Sequence, residues 1–319
     1  MSTAAPVVVI TEVGDLDPQP AIRILEDGGF EVVVCTDGLP DRSHGSVCLP
    51  ARAADAVAAI IGFSPFGADQ LALFPNLRLV CTTSTGLDMV DEDAARARGV
   101  DVVGLGGVAT REVATHALAL VLAAVRELPV GVGIVRGGGW AVDLPVVPRP
   151  IETLTLGLVG FGRIGCELAR IARPLFDRVL AFDPAPVKAE HGAQLVDLDT
   201  LLTQSDVVSL HLPADDTTRG MFSGARLASL RRGALLVNVS RGELVDDDAV
   251  LAALDAGALS GYAADVLDAE PPAADHPLRR HPHALITPHM AYLSAASLAR
   301  YEQNPALAIV DRLGHLAVE

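Results

Sequence analysis

The chain has 319 residues, of which 50% are apolar and 20% are charged. This length accommodates two ordinary domains, and the apolar fraction provides a large core, which argues against intrinsic disorder. With 24 Lys and Arg residues against 40 Asp and Glu, the formal net charge is −16, so nucleic acid and anionic membranes are poor partners for the surface as a whole.

The cysteines and the apolar runs indicate a cytoplasmic protein without a metal site. The four cysteines are scattered along the chain, at Cys35, Cys48, Cys81 and Cys166. They form no Cys-x-x-Cys pair, and no histidine lies at metal-ligand spacing from them. We expect buried free thiols in a reducing compartment. No basic segment precedes the apolar residues 7–10, and the longest apolar run, residues 117–125, is about half the length that a membrane span needs.

The first hundred or so residues alternate β-rich segments with helix-like ones, which is typical of a parallel sheet wrapped by helices. The predicted strands cover residues 7–10, 31–35 and 77–81, and the predicted helices cover 20–26 and 51–60. Residues 82–88 follow the third strand, where open α/β sheets place ligands, and their small side chains leave backbone amides accessible to an anion. Taken alone, this segment is better interpreted as an ordinary turn.

The middle of the chain predicts a long apolar helix over residues 111–126, after a short helix capped by residues 91–93 and a strand at 100–103. His116 lies on this long helix beside apolar residues, where a lone histidine is more often structural than catalytic. Residues 137–150 are rich in glycine and then in proline, which predicts either a linker or an arm that reaches a second subunit.

A glycine-rich turn follows the predicted strand at residues 154–159. Gly160, Gly162 and Gly165 form the pattern Gly-x-Gly-x-x-Gly, and a helical pattern continues from it. The first glycine permits a tight turn, the second lets the backbone approach a pyrophosphate, and the third lets the helix pack close to the sheet. Amides at the helix start would hold the phosphates. This arrangement predicts dinucleotide binding.

Asp183 ends the apolar run that follows this helix. Its carboxylate is placed to accept hydrogen bonds from the adenosine ribose hydroxyls and would repel a 2′-phosphate, so we predict NAD as the cofactor in preference to NADP. The glycine turn alone would also fit an unrelated α/β domain or a methyltransferase. The two flanking strands and the acid favour dinucleotide binding over both.

Further strands are predicted at residues 207–211, 234–239, 262–266 and 284–287, which with the pair around the glycine turn makes about six, the number in a full dinucleotide fold. Three charged side chains lie after these strands, namely Arg241, Glu270 and His289. We expect them at the carboxyl edge of one sheet, where a cationic clamp, a histidine and an orienting carboxylate could support hydride transfer. A last helix is predicted over residues 294–313.

Five motifs give the chain its resemblance to the D-isomer-specific 2-hydroxyacid dehydrogenase family, which includes phosphoglycerate dehydrogenases, glyoxylate reductases and phosphite dehydrogenase. They are spread over most of the chain, at residues 160–165, 210–213, 238–242, 265–271 and 287–289. The resemblance implies that Arg241 binds the substrate carboxylate and polarises its carbonyl, that His289 is the acid/base, and that Glu270 favours the protonated histidine. It also implies that the amides of Thr85 and Gly86 bind the carboxylate.

The resemblance extends to the cofactor and to the domains. The cofactor-binding residues that it implies are Gly160, Gly162, Arg163, Ile164, Gly165, Asp183, His211, Pro213 and Asp265, the last contacting the nicotinamide amide. The implied fold is α/β, with two doubly wound parallel-sheet lobes: a Rossmann NAD-binding domain at residues 104–289, inserted into a flavodoxin-like substrate domain at 1–103 and 290–319. A small anionic substrate would bind in the cleft between them, and the protein would be a homodimer.

Several positions depart from the usual family pattern and leave the substrate open. Thr115 stands where relatives typically carry glutamate, Met89 where asparagine is common, and the segment from Ala291 through Tyr292 resembles the C-terminal-binding-protein branch. The leading prediction is an NAD-dependent oxidoreductase for a D-2-hydroxy acid or 2-oxo acid. The alternatives are an NAD-sensing interaction protein with little turnover, and an enzyme that oxidises a phosphorus oxyanion or a phosphonate.

Overall fold

The computed structural model describes residues 4–14, 16–35, 50 and 52–317. The chain divides into two compact units, one formed by Met1–Val108 with Ser294–Glu319 and the other by Ala109–Leu293. Cys48 and the start of the predicted helix at 51–60 lie outside the described residues. We call the two parts the discontinuous unit and the central unit.

The discontinuous unit contains five parallel strands. They are β1 Val7–Ile10, β2 Glu31–Val34, β3 Ala56–Ile61, β4 Leu79–Thr82 and β5 Asp101–Val103, in the order β2-β1-β3-β4-β5. Its helices are α1 Gln19–Asp27, α2 Ala68–Ala72, α3 Glu92–Ala97 and the C-terminal helix Ala295–Leu313. Apolar side chains cover both faces of the sheet, with Leu71 and Phe74 in one core and Leu25 and Ile309 in the other.

The helix predicted over residues 51–60 is wrong. The structure has a short 3-10 helix, Ala53–Asp55, followed directly by β3. Ala58 pairs with Val8 of β1 on one side and with Leu79 of β4 on the other, so this strand is the centre of the sheet and is buried on both faces. A short run of alanine and isoleucine has no alternation to distinguish such a strand from a buried helix.

The central unit contains seven parallel strands. They are β6 Thr155–Val159, β7 Arg178–Phe182, β8 Gln194–Leu195, β9 Val207–Leu210, β10 Ala234–Asn238, β11 Leu259–Ala264 and β12 Ala284–Ile286, in the order β12-β11-β10-β9-β6-β7-β8. Its helices are α4 Thr110–Val125, α5 Leu128–Arg136, α6 Arg163–Ala172, α7 Leu198–Gln204, α8 Gly224–Ala228 and α9 Asp247–Asp255. Two separate apolar cores lie on the two sides of the sheet. The predicted fold class of two doubly wound parallel-sheet units is therefore confirmed.

Strand β8 and helix α5 of the central unit are among the elements that the sequence did not predict. Strand β8 has two exposed residues at the sheet edge, too few to leave an apolar pattern. Helix α5 contains Pro129, Gly131 and Gly133, residues that a sequence pattern assigns to loops. After α5, residues 137–150 contain only the 3-10 helix Ala141–Asp143. A second 3-10 helix, Ile151–Thr153, then leads into β6.

Within the described residues, no single helix combines the length and the apolar character of a membrane span. Helices α4 and α5 meet that criterion only as a pair, and the pair is bent by 58°.

Candidate active site

Three neighbouring strands bring the predicted charged residues to one edge of the central unit. Strands β10, β11 and β12 are parallel and adjacent, so their carboxyl ends share one edge of the sheet. Arg241 follows β10, Glu270 follows β11 and His289 follows β12. The sheet order places the three loops side by side, as expected from the positions of these residues after their strands.

His289 and Glu270 are in direct contact. The His289 Nδ1 atom lies 2.5 Å from Glu270 Oε2, and Glu270 Oε1 accepts a hydrogen bond of 3.0 Å from the Leu267 amide. An ionised carboxylate can only accept, so Nδ1 carries the proton in this pair. The Nε2 atom is thereby left for exchange with a substrate, on a side chain that is 47% exposed.

The surroundings of Glu270 keep it ionised. Burial opposes its charge, but the hydrogen bond and charge of His289, the Leu267 amide and the charge of Arg241 outweigh burial and lower the Glu270 pKa below its ordinary value. The charge of Arg241, in the loop after β10, is the smallest of these contributions. The contact that the structure gives directly within this set is the hydrogen bond between His289 and Glu270.

The backbone of His289 is held in an uncommon conformation. Its φ is +50°, a left-handed conformation that costs energy for a residue with a side chain. Its amide donates to the Asp265 carbonyl at 2.8 Å. The surrounding structure thus fixes the ring position through the main chain as well as through Glu270.

Asp265 is a buried polar residue at this edge, with 1% of its surface exposed. Its Oδ1 accepts from Thr287 Oγ1 at 2.5 Å and from the Met290 amide at 3.0 Å, and its Oδ2 accepts from the Ala291 amide at 2.7 Å. These bonds engage both carboxylate oxygens within the protein. Contact of Asp265 with a nicotinamide amide stays a prediction.

The loop that carries Arg241 is fixed by its own polar groups. Asn238 is fully buried; its Nδ2 donates to the Arg241 carbonyl at 2.8 Å and its Oδ1 accepts from the Ser240 amide at 3.0 Å. At Gly242 an added Cβ would lie 1.9 Å from the Leu267 carbonyl carbon. Only glycine allows this approach, and it places the Arg241 loop directly on the loop that carries Glu270.

The glycine turn has the geometry that dinucleotide binding requires. Gly160 has φ +100°, and an added Cβ would lie 2.6 Å from the His211 backbone; at Gly165 a Cβ would lie 2.2 Å from the Gly160 carbonyl oxygen. Gly162 instead faces open space, with no atom within 4 Å of an added Cβ. It precedes α6, whose first turn of Arg163 and Ile164 has no side-chain cap. The amides there fit a pyrophosphate.

The other predicted cofactor residues flank this turn. Asp183 directly follows β7, and its carboxylate accepts from the Phe161 amide at 2.7 Å and from the Ala185 amide at 2.8 Å. His211 Nε2 lies 2.9 Å from Ser209 Oγ, and burial lowers the His211 pKa to about 3, so this ring is neutral. Pro213 is exposed two positions later. All of them lie in the central unit.

Thr85 and Gly86 belong to the discontinuous unit, in the loop after β4. The Thr85 Oγ1 atom lies 3.2 Å from the Tyr301 hydroxyl and 3.3 Å from the Leu105 carbonyl, and the Gly86 carbonyl accepts from Ser84 Oγ at 2.7 Å. Their predicted role in binding the carboxylate stays a prediction.

Two residues contribute to the His289 loop without having been assigned a role from the sequence. Thr287 lies in the motif at residues 287–289, and the sequence predicts a structural role for His116 on its apolar helix. His116 Nε2 lies 3.0 Å from Thr287 Oγ1 and 3.5 Å from Asp265 Oδ1. Because 171 positions separate His116 from Thr287, no local sequence pattern could have linked them.

Comparison with known proteins gives concordant matches. The model of the D-isomer specific 2-hydroxyacid dehydrogenase family, NAD binding domain, matches residues 118–291. The chain is 37% identical to glycerate dehydrogenase of Methylorubrum extorquens over 75% of this chain and 77% of that protein. It is 35% identical to glyoxylate reductase of Korarchaeum cryptofilum over 91% of this chain and 88% of that protein.

A solved structure agrees with these relatives over nearly the whole chain. The D-lactate dehydrogenase of Aquifex aeolicus, in complex with NAD and lactic acid, matches with a TM-score of 0.83 at 28% identity. The match covers 98% of this chain and 97% of that chain. The D-3-phosphoglycerate dehydrogenase of Archaeoglobus fulgidus is 34% identical, but the chain spans only 47% of its length. By its NAD-binding domain and by its full-length relatives, the chain belongs to the D-isomer-specific 2-hydroxyacid dehydrogenase family, whose members are NAD-dependent oxidoreductases.

Proposed function

We propose that this protein interconverts a D-2-hydroxy acid and the corresponding 2-oxo acid, with NAD(H) as the hydride carrier. The observation that carries the proposal is the hydrogen bond between His289 and Glu270, formed beside Arg241 on the sheet that carries the glycine turn. An acid/base, its partner and a cation are then available to one small anionic substrate.

Bound NADH supplies a hydride to the carbonyl carbon of the 2-oxo acid. Arg241 binds the substrate carboxylate, since a planar guanidinium can contact both oxygens at once, and its charge polarises the neighbouring carbonyl. His289 gives the Nε2 proton to the oxygen as the C–H bond forms, and the neutral ring later regains a proton from solvent. Glu270 stabilises the imidazolium before transfer.

The cofactor preference follows from Asp183. Asp183 directly follows β7, and the bond between its carboxylate and the Phe161 amide holds the carboxylate at the glycine turn. In this position it could bind the ribose hydroxyls and would repel a 2′-phosphate. We infer that NAD(H) is preferred to NADP(H). Contacts of the nicotinamide with Asp265, and of the substrate carboxylate with Thr85 and Gly86, belong to the same proposal.

The pair formed by His289 and Glu270 favours an enzyme over a sensor. An NAD-sensing interaction protein has no need for a histidine hydrogen-bonded to an ionised glutamate beside an arginine, whereas reduction of a carbonyl needs each of them. The names of the relatives, glycerate dehydrogenase and glyoxylate reductase, support small 2-hydroxy acids as substrates. Phosphite and phosphonates belong in the same test, because Arg241 could bind them as well.

We also infer a homodimer working in the cytoplasm. Helix α5 and the segment after it expose apolar side chains, with Trp140 71%, Val142 92% and Val147 88% exposed. A segment with several exposed large apolar side chains is typical of a protein interface. The described cysteines Cys35, Cys81 and Cys166 are free thiols, which suits a reducing compartment.

The experiment is NADH oxidation against a panel of 2-oxo acids, with NADPH in parallel and with phosphite and phosphonates tested for NAD reduction. We expect turnover of at least one 2-oxo acid with NADH and weaker turnover with NADPH. His289→Ala should lower kcat by roughly a hundredfold or more and leave NADH binding intact. Turnover of phosphite alone, or of no substrate, would contradict the proposal.

A further inference from the structure

We propose that His116 is a positioning residue for His289 and acts through Thr287 and Asp265; the inference rests on the function proposed above. His116 lies on α4 and contacts Thr287, which directly follows β12. Its side chain is 18% exposed. The four residues form one continuous chain of contacts within the central unit. His116 itself needs no contact with the substrate.

The hydrogen-bond directions along this chain are fixed by donor counting. The single proton of the Thr287 hydroxyl is donated to Asp265 Oδ1 at 2.5 Å. Thr287 Oγ1 can therefore only accept from His116, whose Nε2 lies 3.0 Å away, so Nε2 carries a proton. The sequence of bonds runs from imidazole N–H to hydroxyl to carboxylate, and bonds in such a series strengthen one another.

Asp265 needs this support because it is a buried carboxylate. Among the described residues, the only basic side chain within 4 Å of its carboxylate is that of His116, whose Nε2 lies 3.5 Å from Oδ1. A buried charge without hydrogen-bond donors is costly. The donors that Asp265 has are Thr287 and the amides of Met290 and Ala291, so the orientation of the carboxylate decides where those amides lie.

Those amides directly follow His289. The Asp265 carboxylate holds the two residues after the histidine, and the Asp265 carbonyl holds the His289 amide itself at 2.8 Å. The left-handed backbone of His289, with φ +50°, persists only where neighbouring bonds enforce it. Releasing the carboxylate would let the backbone relax and would move the imidazole away from Glu270.

The test compares variants that break the chain with variants that conserve it. Thr287→Val and His116→Leu remove a bond, whereas Thr287→Ser and His116→Gln keep a hydroxyl and an N–H donor. Thr115→Val is the matched control, since it removes a hydroxyl from the adjacent, exposed position on α4. For each protein we would measure kcat, the Kd for NADH, Tm, and the proton NMR signal of the His289 Nδ1–H that bonds to Glu270.

We expect Thr287→Val and His116→Leu to lower kcat by roughly tenfold or more, since small displacements of a catalytic group are costly. The Nδ1–H signal should shift or broaden, and the Kd for NADH should change by a smaller factor than kcat, because Asp265 is one of several predicted cofactor contacts. The Ser, Gln and Thr115→Val variants should match the parent. Parent-like kcat and signal in both breaking variants would overturn the inference, as would equal losses in the conserving ones.

The NMR signal separates this inference from the proposed function. If no 2-oxo acid is turned over but the breaking variants still disturb the Nδ1–H signal selectively, the function fails and the positioning role stands. If the parent turns over a 2-oxo acid and the signal is insensitive to Thr287 and His116, the function stands and the positioning role fails.

Discussion

Glu270 is a half-buried carboxylate whose charge is sustained by its neighbours. Replacing it with Gln keeps the shape and removes the charge that favours the imidazolium of His289. We expect the upper limb of the reductive kcat profile to move to lower pH, because a neutral amide stabilises a cation less than a carboxylate does. Turnover at neutral pH should fall by roughly tenfold or more.

Arg241→Lys is the matched comparison for this pH profile. It keeps a positive charge but loses the planar fork, so KM should rise while the pH limb stays in place. A Glu270→Gln profile with its limb unmoved, or moved to higher pH, would mean that Glu270 is not the partner of His289 in the reaction.

Asp247 is a second carboxylate whose environment has the opposite effect. Burial raises its pKa to about 6, and the nearby Asp268 adds to the rise while His276 opposes it. The folded state therefore binds more protons than the unfolded state between the ordinary value of 3.8 and about 6, so the free energy of unfolding falls as pH rises through that window.

Asp247→Asn should abolish this loss of stability. We expect the free energy of unfolding of the variant to exceed that of the parent by about 1 to 3 kcal/mol at pH 7, with the difference shrinking toward pH 4. Denaturant unfolding at several pH values measures it. A parent that gains stability from pH 4 to pH 7 relative to the variant would show that the carboxylate is stabilised by its partners instead.

At the scale of elements, the segment joining β6 to α6 contains two glycines with different roles. We expect Gly165 to be needed for the fold and Gly162 for cofactor binding. Gly162→Ala meets no atom within 4 Å, so stability should change by less than about 0.5 kcal/mol. The new methyl group would face the pyrophosphate, and the Kd for NADH should rise by roughly tenfold or more.

Gly165→Ala should behave in the reverse way. Its Cβ would lie 2.2 Å from the Gly160 carbonyl oxygen, so we expect destabilisation of about 1 to 3 kcal/mol. Gly224→Ala is a control for both, because a Cβ there meets only ordinary contact at 3.8 Å. Calorimetric Tm and NADH titration distinguish the outcomes, and equal effects of Gly162→Ala and Gly165→Ala on Tm would contradict these assignments.

The elements also show where sequence patterns succeed. Strands β6, β9 and β10 are predicted because they are apolar and bounded by turns. The cap predicted at residues 91–93 is confirmed, since the Asp91 carboxylate accepts from the Ala94 amide at the start of α3. The prediction of a helix at β3 is wrong because this strand is specified by its pairing with β1 and β4, and its buried residues show no alternation of apolar and polar side chains. The contact of His116 with Thr287 depends on the folded sheet edge and has no local signature.

At the scale of the whole molecule, the exposed apolar segment after α5 predicts self-association. Replacing both Val142 and Val147 with Asp should convert the proposed homodimer to a monomer, because charges cannot be buried unpaired in an apolar interface. Sedimentation velocity measures the mass. A monomeric parent would contradict the dimer, and Asp substitution of the exposed Phe63, in the discontinuous unit, is the control that should leave it intact.

The most direct test of the proposed chemistry follows the hydride itself. With NADH carrying deuterium at the transferred position and the best 2-oxo acid of the panel that has a carbon substituent on its carbonyl, the parent should give a 2-hydroxy acid that is deuterated at C2 and of D configuration, seen by mass spectrometry after chiral separation. His289→Ala should form roughly a hundredfold less of it while still binding NADH. A product without deuterium at C2, or of L configuration, would contradict the account.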